Sequence, residues 1–111
     1  MEVLDDVKLN FAKFDGLVPA VVQHHHTGEI LMVGFMNEEA WAKSKAIGLV
    51  TFWSRTRNTL WTKGETSGDV LRIKQVLVDC DEDTVLFKAD PAGPTCHTGA
   101  ASCFYREVRF A

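Results

Sequence analysis

Apolar and polar positions follow two rhythms along this chain. Leu17 to Gln23 and Glu29 to Met36 are dense in Val, Ile, Leu, Met and Phe, and the short polar link His24-His25-His26-Thr27-Gly28 joins them. Two such runs around a Gly-containing link read as an antiparallel hairpin. The rhythm then changes. Asn37 suits a helix N-cap, Glu38 and Glu39 suit the positive end of a helix, and Gly48 falls where a left-handed C-terminal residue is wanted. One helix is therefore expected over residues 38–47. Val50 to Ser54, Thr59 to Thr62, Val70 to Val78, Thr84 to Lys88 and Ser102 to Phe110 supply further strand candidates, separated by Arg-Asn, Lys-Gly-Glu, acidic and Pro-Gly segments. No repeat, low-complexity tract or linker interrupts them. The expected fold class is α+β, mostly β. The pattern predicts a compact mixed or antiparallel sheet, or a partly closed barrel, with one main helix in a single domain spanning residues 1–111.

Composition narrows this picture. A chain of 111 residues with 46% hydrophobic positions can build a modest core. At that size it buries a smaller share of its surface than a larger domain and gains from a metal or a second subunit, so a homodimer is expected. The formal charge of −3 leaves no broad positive field for nucleic acid or an anionic membrane. No apolar run approaches a bilayer-spanning length, and Met1 to Asn10 lacks a basic flank followed by an apolar stretch. A cytoplasmic location is the expectation. The three cysteines cannot all pair within one chain, and they suit thiolate ligands in a reducing compartment better than a disulfide framework.

Candidate chemistry concentrates in the last third: Asp79-Cys80-Asp81-Glu82-Asp83, then Pro94-Thr95-Cys96-His97-Thr98-Gly99, then Cys103. Zinc takes thiolate sulfur readily, and a catalytic zinc keeps three protein ligands and leaves a position for water, whose pKa falls towards roughly 7. Cys80, Cys96 and Cys103 match that count. Their spacing is not that of a zinc finger, and three inert buried thiols are the plain alternative. Asp79, Asp81 and Asp83 alternate with Cys80 and Glu82, which in an extended chain puts the aspartates on one side. Aspartates two apart in a flat strand lie about 6 to 7 Å apart, so the segment must curl, or use bridging waters, to hold one ion. Oxygen ligands favour magnesium over a softer metal, and a solvated acidic turn is the alternative. His97 follows a candidate ligand and is placed for proton transfer. The histidines at 24–26 point in different directions beside a turn glycine and read as a solvated loop.

A local basic patch completes the set. In Trp53-Ser54-Arg55-Thr56-Arg57, strand alternation would put Arg55 and Arg57 on one face with Trp53, a guanidinium pair suited to phosphate beside an aromatic surface suited to a base. Trp61-Thr62-Lys63-Gly64-Glu65-Thr66-Ser67-Gly68 adds a cation, hydroxyls and two glycines that admit an oxyanion closely. Arg55, Arg57, Lys63 and Ser67 are the candidate substrate contacts, although a solvated strand face and core tryptophans would look similar.

Taken in order, these segments resemble the signature series of the phosphoribosyl-AMP cyclohydrolase family, together with Val18-Pro19-Ala20, Met36-Asn37-Glu38-Glu39-Ala40 and Ser102-Cys103-Phe104, over about Gly16 to Arg106. The resemblance implies hydrolytic opening of the adenine ring of N1-phosphoribosyl-AMP between N1 and C6. This is an early step of histidine biosynthesis, performed by a cytoplasmic, intertwined homodimer with zinc and magnesium. It further implies zinc held by Cys80 of one subunit and Cys96 and Cys103 of the other, and magnesium held by Asp79, Asp81 and Asp83. Members often carry His where this chain has Asp69, which moves the expected proton-transfer role to His97, ahead of Glu65. The chain ends soon after Cys103 and so resembles the single-activity form, without the pyrophosphohydrolase domain fused to some relatives.

That chemistry agrees with the residues. An adenine alkylated at N1 is an electron-poor amidinium open to attack at C6, as in zinc deaminases. The deaminase arrangement itself, His-x-Glu followed by Pro-Cys-x-x-Cys, is absent from the sequence. A noncatalytic zinc-stabilised binding module remains the competing reading, with all four metal positions filled by protein.

Overall fold

The computed structural model describes residues 1–111 and is built on a four-stranded mixed sheet. A 3₁₀ turn, Phe11–Phe14, precedes β1 (Val18–His24) and β2 (Ile30–Met36), which pair antiparallel as the sequence predicts. Their connection closes through backbone bonds from Gly28 N–H to His24 O at 3.0 Å and from His24 N–H to Glu29 O at 2.7 Å. The single helix α1 (Glu38–Ile47) has the expected ends. Asn37 Oδ1 accepts from Ala40 N–H at 2.8 Å, and Gly48 adopts a left-handed φ of 73°.

A two-stranded hairpin, β3 (Thr51–Ser54) with β4 (Thr59–Thr62), follows the helix, and a second hairpin, β5 (Leu71–Val78) with β6 (Val85–Pro91), completes the large sheet. Sheet order is β2-β1-β6-β5, with β1 and β6 parallel, so the sheet is open and mixed and does not close into a barrel. Ser102 to Phe110 forms no strand. Only its start touches the edge strand β2, through Cys103 N–H to Leu31 O and Ser102 Oγ to Ile30 O, and the rest is irregular with Phe104, Tyr105, Val108 and Phe110 exposed.

The core lies on one face of the sheet, where Val18, Ala20 and Val22 of β1 and Val85, Phe87 and Ala89 of β6 alternate inward. That alternation is the period of two expected of a half-buried strand. Helix α1 covers this face through Ala40 and Trp41, with Trp41 at 6.2 Å from Phe87 between ring centroids. Ser44 Oγ accepts from Thr51 N–H at 2.9 Å and donates to Thr51 O at 3.2 Å, tying the helix to β3. Gly34 lets β3 approach β2, since a Cβ there would lie 2.5 Å from the Phe52 ring. On the opposite face a row of paired positions, Val33, Val21, Leu86 and Leu77, crosses all four strands without full burial. No helix is long and apolar enough to cross a membrane.

Candidate active site

Strand β6 has candidate chemistry at both ends. At its start, the turn over residues 79–84 curls as the spacing of the aspartates requires. Asp79 Oδ1 accepts from Asp83 N–H at 2.9 Å and Thr84 N–H at 3.1 Å, and Glu82 takes a left-handed φ of 62°. An aspartate bonding to backbone a few residues ahead is a common way to close such a turn. The curl brings one carboxylate oxygen from each of Asp79, Asp81 and Asp83 within 4.8 Å of the others, the only grouping of three or more potential metal ligands in the chain. Lys13 reaches in from the 3₁₀ turn, donating to Asp83 at 2.5 Å and Asp81 at 3.0 Å, while Asn10 N–H bonds to Glu82 O at 2.8 Å. The Lys13 ammonium holds the Asp83 carboxyl well below the usual range and is itself held protonated by the two aspartates. Desolvation pushes Asp79 the other way, upward. An all-oxygen cluster of this size fits a hard divalent cation.

At the far end of β6, a cavity of about 480 Å³ is lined by Lys63, Ser67, Asp69, Cys96, His97 and Cys103, with Met32 and Trp61 as apolar walls. Cys96 is fixed in a tight turn by its N–H to Ala100 O at 3.0 Å and by Gly99 N–H to Cys96 O at 3.0 Å. Cys103 is pinned to the sheet by its N–H to Leu31 O at 2.8 Å, and the neighbouring Ser102 hydroxyl donates to Ile30 O at 2.6 Å. The two thiols thus come from loops anchored on different backbone segments. Thr98 Oγ1 donates to Cys96 Sγ at 3.0 Å and draws the Cys96 pKa below that of an ordinary thiol, while partial burial and the nearby Cys96 push Cys103 upward. A thiol that yields its proton easily, beside a second thiol, suits a soft cation. Thr95, buried in the same wall, has a hydroxyl with no partner.

Cys80 does not join them. It lies five positions before β6 and Cys96 lies five after it, and the strand's 7 residues span about 20 Å. Within one chain, therefore, the cavity holds two sulfurs, and Cys80 stays exposed in the acidic turn.

The structure gathers Lys63, Ser67 and His97 in one cavity but leaves Arg55 and Arg57 outside it. Strand β3 ends at Ser54, so the two arginines lie in the β3–β4 turn rather than alternating along a strand, and Arg55 stacks at 4.2 Å over the Phe35 ring. Trp53 packs against the core, and Trp61 serves both cavity and core, 5.6 Å from Phe52. The histidine link is the turn expected: His24 Nδ1 accepts from His26 N–H at 3.1 Å and Thr27 N–H at 3.3 Å. Two contributors escaped the sequence reading. Thr98 carried a usable signal, a hydroxyl two residues after a candidate ligand in a Gly-ended turn. Lys13 carried none, lying 68 and 70 positions from the aspartates it meets.

Comparison with known proteins identifies the family. The phosphoribosyl-AMP cyclohydrolase family matches over residues 32–105, which include the cavity, both thiols and the acidic turn. The phosphoribosyl-AMP cyclohydrolase of Erythrobacter litoralis is 57% identical over 94 residues, covering 85% of this chain and 75% of that one. Its counterpart from Desulfatibacillum aliphaticivorans is 50% identical over 103 residues, covering 92% and 82%. The histidine biosynthesis bifunctional protein HisIE of Photobacterium profundum is 56% identical over 96 residues, 86% of this chain but 46% of the relative, so the chain spans about half the length of such bifunctional relatives. With most of the chain matched at these identities, the protein belongs to the phosphoribosyl-AMP cyclohydrolase family.

Proposed function

We propose that this chain hydrolyses the N1–C6 bond of the adenine ring in 1-(5-phosphoribosyl)-AMP, in histidine biosynthesis. The observation that carries the reading is the pairing of Cys96 and Cys103 in one cavity with Lys63, Ser67 and His97, in a member of this family. Cys96 and Cys103, with Cys80 of the partner subunit, would hold zinc, and Asp79, Asp81 and Asp83 would hold magnesium. When bound, zinc supplies the Lewis acidity that makes water nucleophilic at neutral pH, and magnesium neutralises charge on phosphate or on the acidic turn.

The remaining work falls to the chain's own side chains. Lys63 and Ser67 hold a phosphate at the mouth of the cavity, and Trp61 and Met32 exclude water from the ring. Exposed at the rim, His97 gives a proton to the departing N1 as the C6–N1 bond breaks. Arg55 and Arg57, remote from the cavity of their own chain, reach substrate only across a subunit boundary.

A homodimer follows from the same reading. Strand β6 keeps Cys80 from its own chain's cavity, and the uncovered row Val33, Val21, Leu86 and Leu77, with the exposed Phe104 and Tyr105, supplies apolar surface for a second copy. Purified protein incubated with phosphoribosyl-AMP, zinc and magnesium should show the ultraviolet change of ring opening. Cys103→Ala should lose both stoichiometric zinc and turnover, by about a thousandfold or more. Turnover that survives without bound zinc rejects the metal's role, and an inert wild type loaded with both metals favours a zinc-stabilised binding module.

A further inference from the structure

Among the groups lining the cavity, Asp69 stands out by the room made for it. A Cβ at Gly93 would lie 2.3 Å from Asp69 Oδ1 and 3.1 Å from its Cγ, and no positive φ otherwise calls for glycine at that position. A Cβ at Gly64 would lie 2.3 Å from the Asp69 carbonyl carbon. Gly64 already takes a φ of 82° that favours glycine, so the clearance that Asp69 alone accounts for is the one at Gly93. The hydrogen bonds of Asp69 run through its backbone alone: its N–H donates to Ser67 Oγ at 3.2 Å and its carbonyl accepts from Lys63 Nζ at 3.4 Å. The aspartates of the acidic turn and Asp90 all spend their carboxylates on protein donors. The Asp69 carboxylate, half-buried in the cavity wall, spends its own on none. A carboxylate at a cavity wall that no protein donor engages keeps its acceptor capacity for a ligand entering the cavity.

We infer that Asp69 is a specificity-determining residue whose carboxylate pairs with the positively charged amidinium of an N1-alkylated adenine and rejects the neutral adenine of ordinary nucleotides. This rests on the hydrolase reading for the identity of the ring. Alkylation at N1 removes that nitrogen's lone pair, places positive charge over N1, C6 and the exocyclic nitrogen, and turns the edge into a cationic donor. Unalkylated adenine presents a lone pair at N1, which a carboxylate repels. One group therefore attracts the substrate and excludes AMP and ATP, which share its phosphate and ribose. The other ionisable groups on the cavity, Lys63, Glu65, Cys96, His97 and Cys103, do not duplicate this role. Lys63 has the wrong sign, Glu65 is exposed, and the cysteines and His97 are assigned to metal and proton transfer.

The test is equilibrium binding of two probes, AMP and its N1-methylated cationic form, to the metal-loaded protein, read by calorimetry. Wild type should prefer the methylated nucleotide by about tenfold to a hundredfold, and Asp69→Asn, nearly isosteric and with backbone bonds intact, should bring the two within about threefold. Gly93→Ala, which displaces the carboxylate, should erase the preference in the same way. A wild type with no preference, or an Asp69→Asn protein that keeps it, overturns the inference. Turnover of phosphoribosyl-AMP is scored separately. A wild type that selects the cationic ring through Asp69 yet opens no substrate sinks the hydrolase reading while sustaining the pocket's selectivity.

Discussion

At the start of β6, the three aspartates find their partners inside the chain; at its end, the side chains of Asp69 and Thr95 do not. Asp79 bonds to two backbone N–H groups, and Asp81 and Asp83 share the Lys13 ammonium. The cavity at the other end holds two sulfurs, a carboxylate without a protein donor and the buried hydroxyl of Thr95 without a partner. Proteins satisfy nearly all buried polar groups, so a local cluster of unmet ones marks where something from outside completes the structure. The acidic end is a preformed turn, whereas the thiol end is where the proposed metal, substrate and second subunit would complete the structure.

The two ends should complement each other between copies. Cys80→Ala and Cys103→Ala should each abolish turnover alone. Mixed, unfolded together and refolded with zinc, they should recover about a quarter of wild-type activity, since half the dimers are heterodimers with one intact site of two. A mixture as inactive as its parents breaks the shared-site proposal, and an active Cys80→Ala parent breaks it more directly.

The thiol end can also be loosened without removing a ligand. Thr98→Val deletes the hydroxyl that lowers the Cys96 pKa while keeping side-chain volume. Groups that orient a metal ligand are worth roughly tenfold to a hundredfold in affinity, so competition with a chelator near neutral pH should show a loss of that size. The sign is fixed by proton competition: a higher thiol pKa makes the metal compete with a proton, so the deficit should shrink as pH rises. A deficit that is flat with pH would leave Thr98 with a packing role only.

Local rules made most of the fold legible. Asn37, the glutamates after it and Gly48 bound the helix, and the apolar stretch Leu17 to Gln23 and the strand candidate Thr84 to Lys88 mark both central strands. Ser102 to Phe110 has strand composition but makes only one backbone bond to the β2 edge, at Cys103, and composition does not encode whether such a contact extends into a ladder. Arg55 and Arg57 leave the expected strand face for a related reason. Alternation is a property of a strand, and the hairpin turns before either arginine can inherit it. Residue type and motif made the thiol and carboxylate segments legible as candidates, and the structure brings Cys96 to Cys103 and Asp79 to Asp81 and Asp83. Contacts across the sequence, such as Lys13 on the acidic turn or Gly93 making way for Asp69, were not legible in this way.

The smallest expected effect concerns the acidic end, where Lys13 is the one strong partner from elsewhere in the chain. The folded-state pKa of Asp83 is depressed by Lys13, so the stabilisation it contributes is complete above the ordinary aspartate value of about 3.9 and disappears as pH falls through the lower folded value. Lys13 shifts upward, so its share is complete below the usual lysine value and is lost only in strong alkali. Lys13→Met should therefore lower Tm at pH 6 to 7 by at most about 4 °C, because Lys13 is largely solvated, and the gap to wild type should close on acidification below about pH 3. Magnesium should narrow the gap between the two proteins. With the ammonium gone, the carboxylates repel one another and have only the metal to neutralise them, so the variant should gain more Tm from added magnesium than wild type. Equal gains would mean that the ion binds elsewhere, and the acidic turn would revert to a structural feature held closed by Asp79 and Lys13.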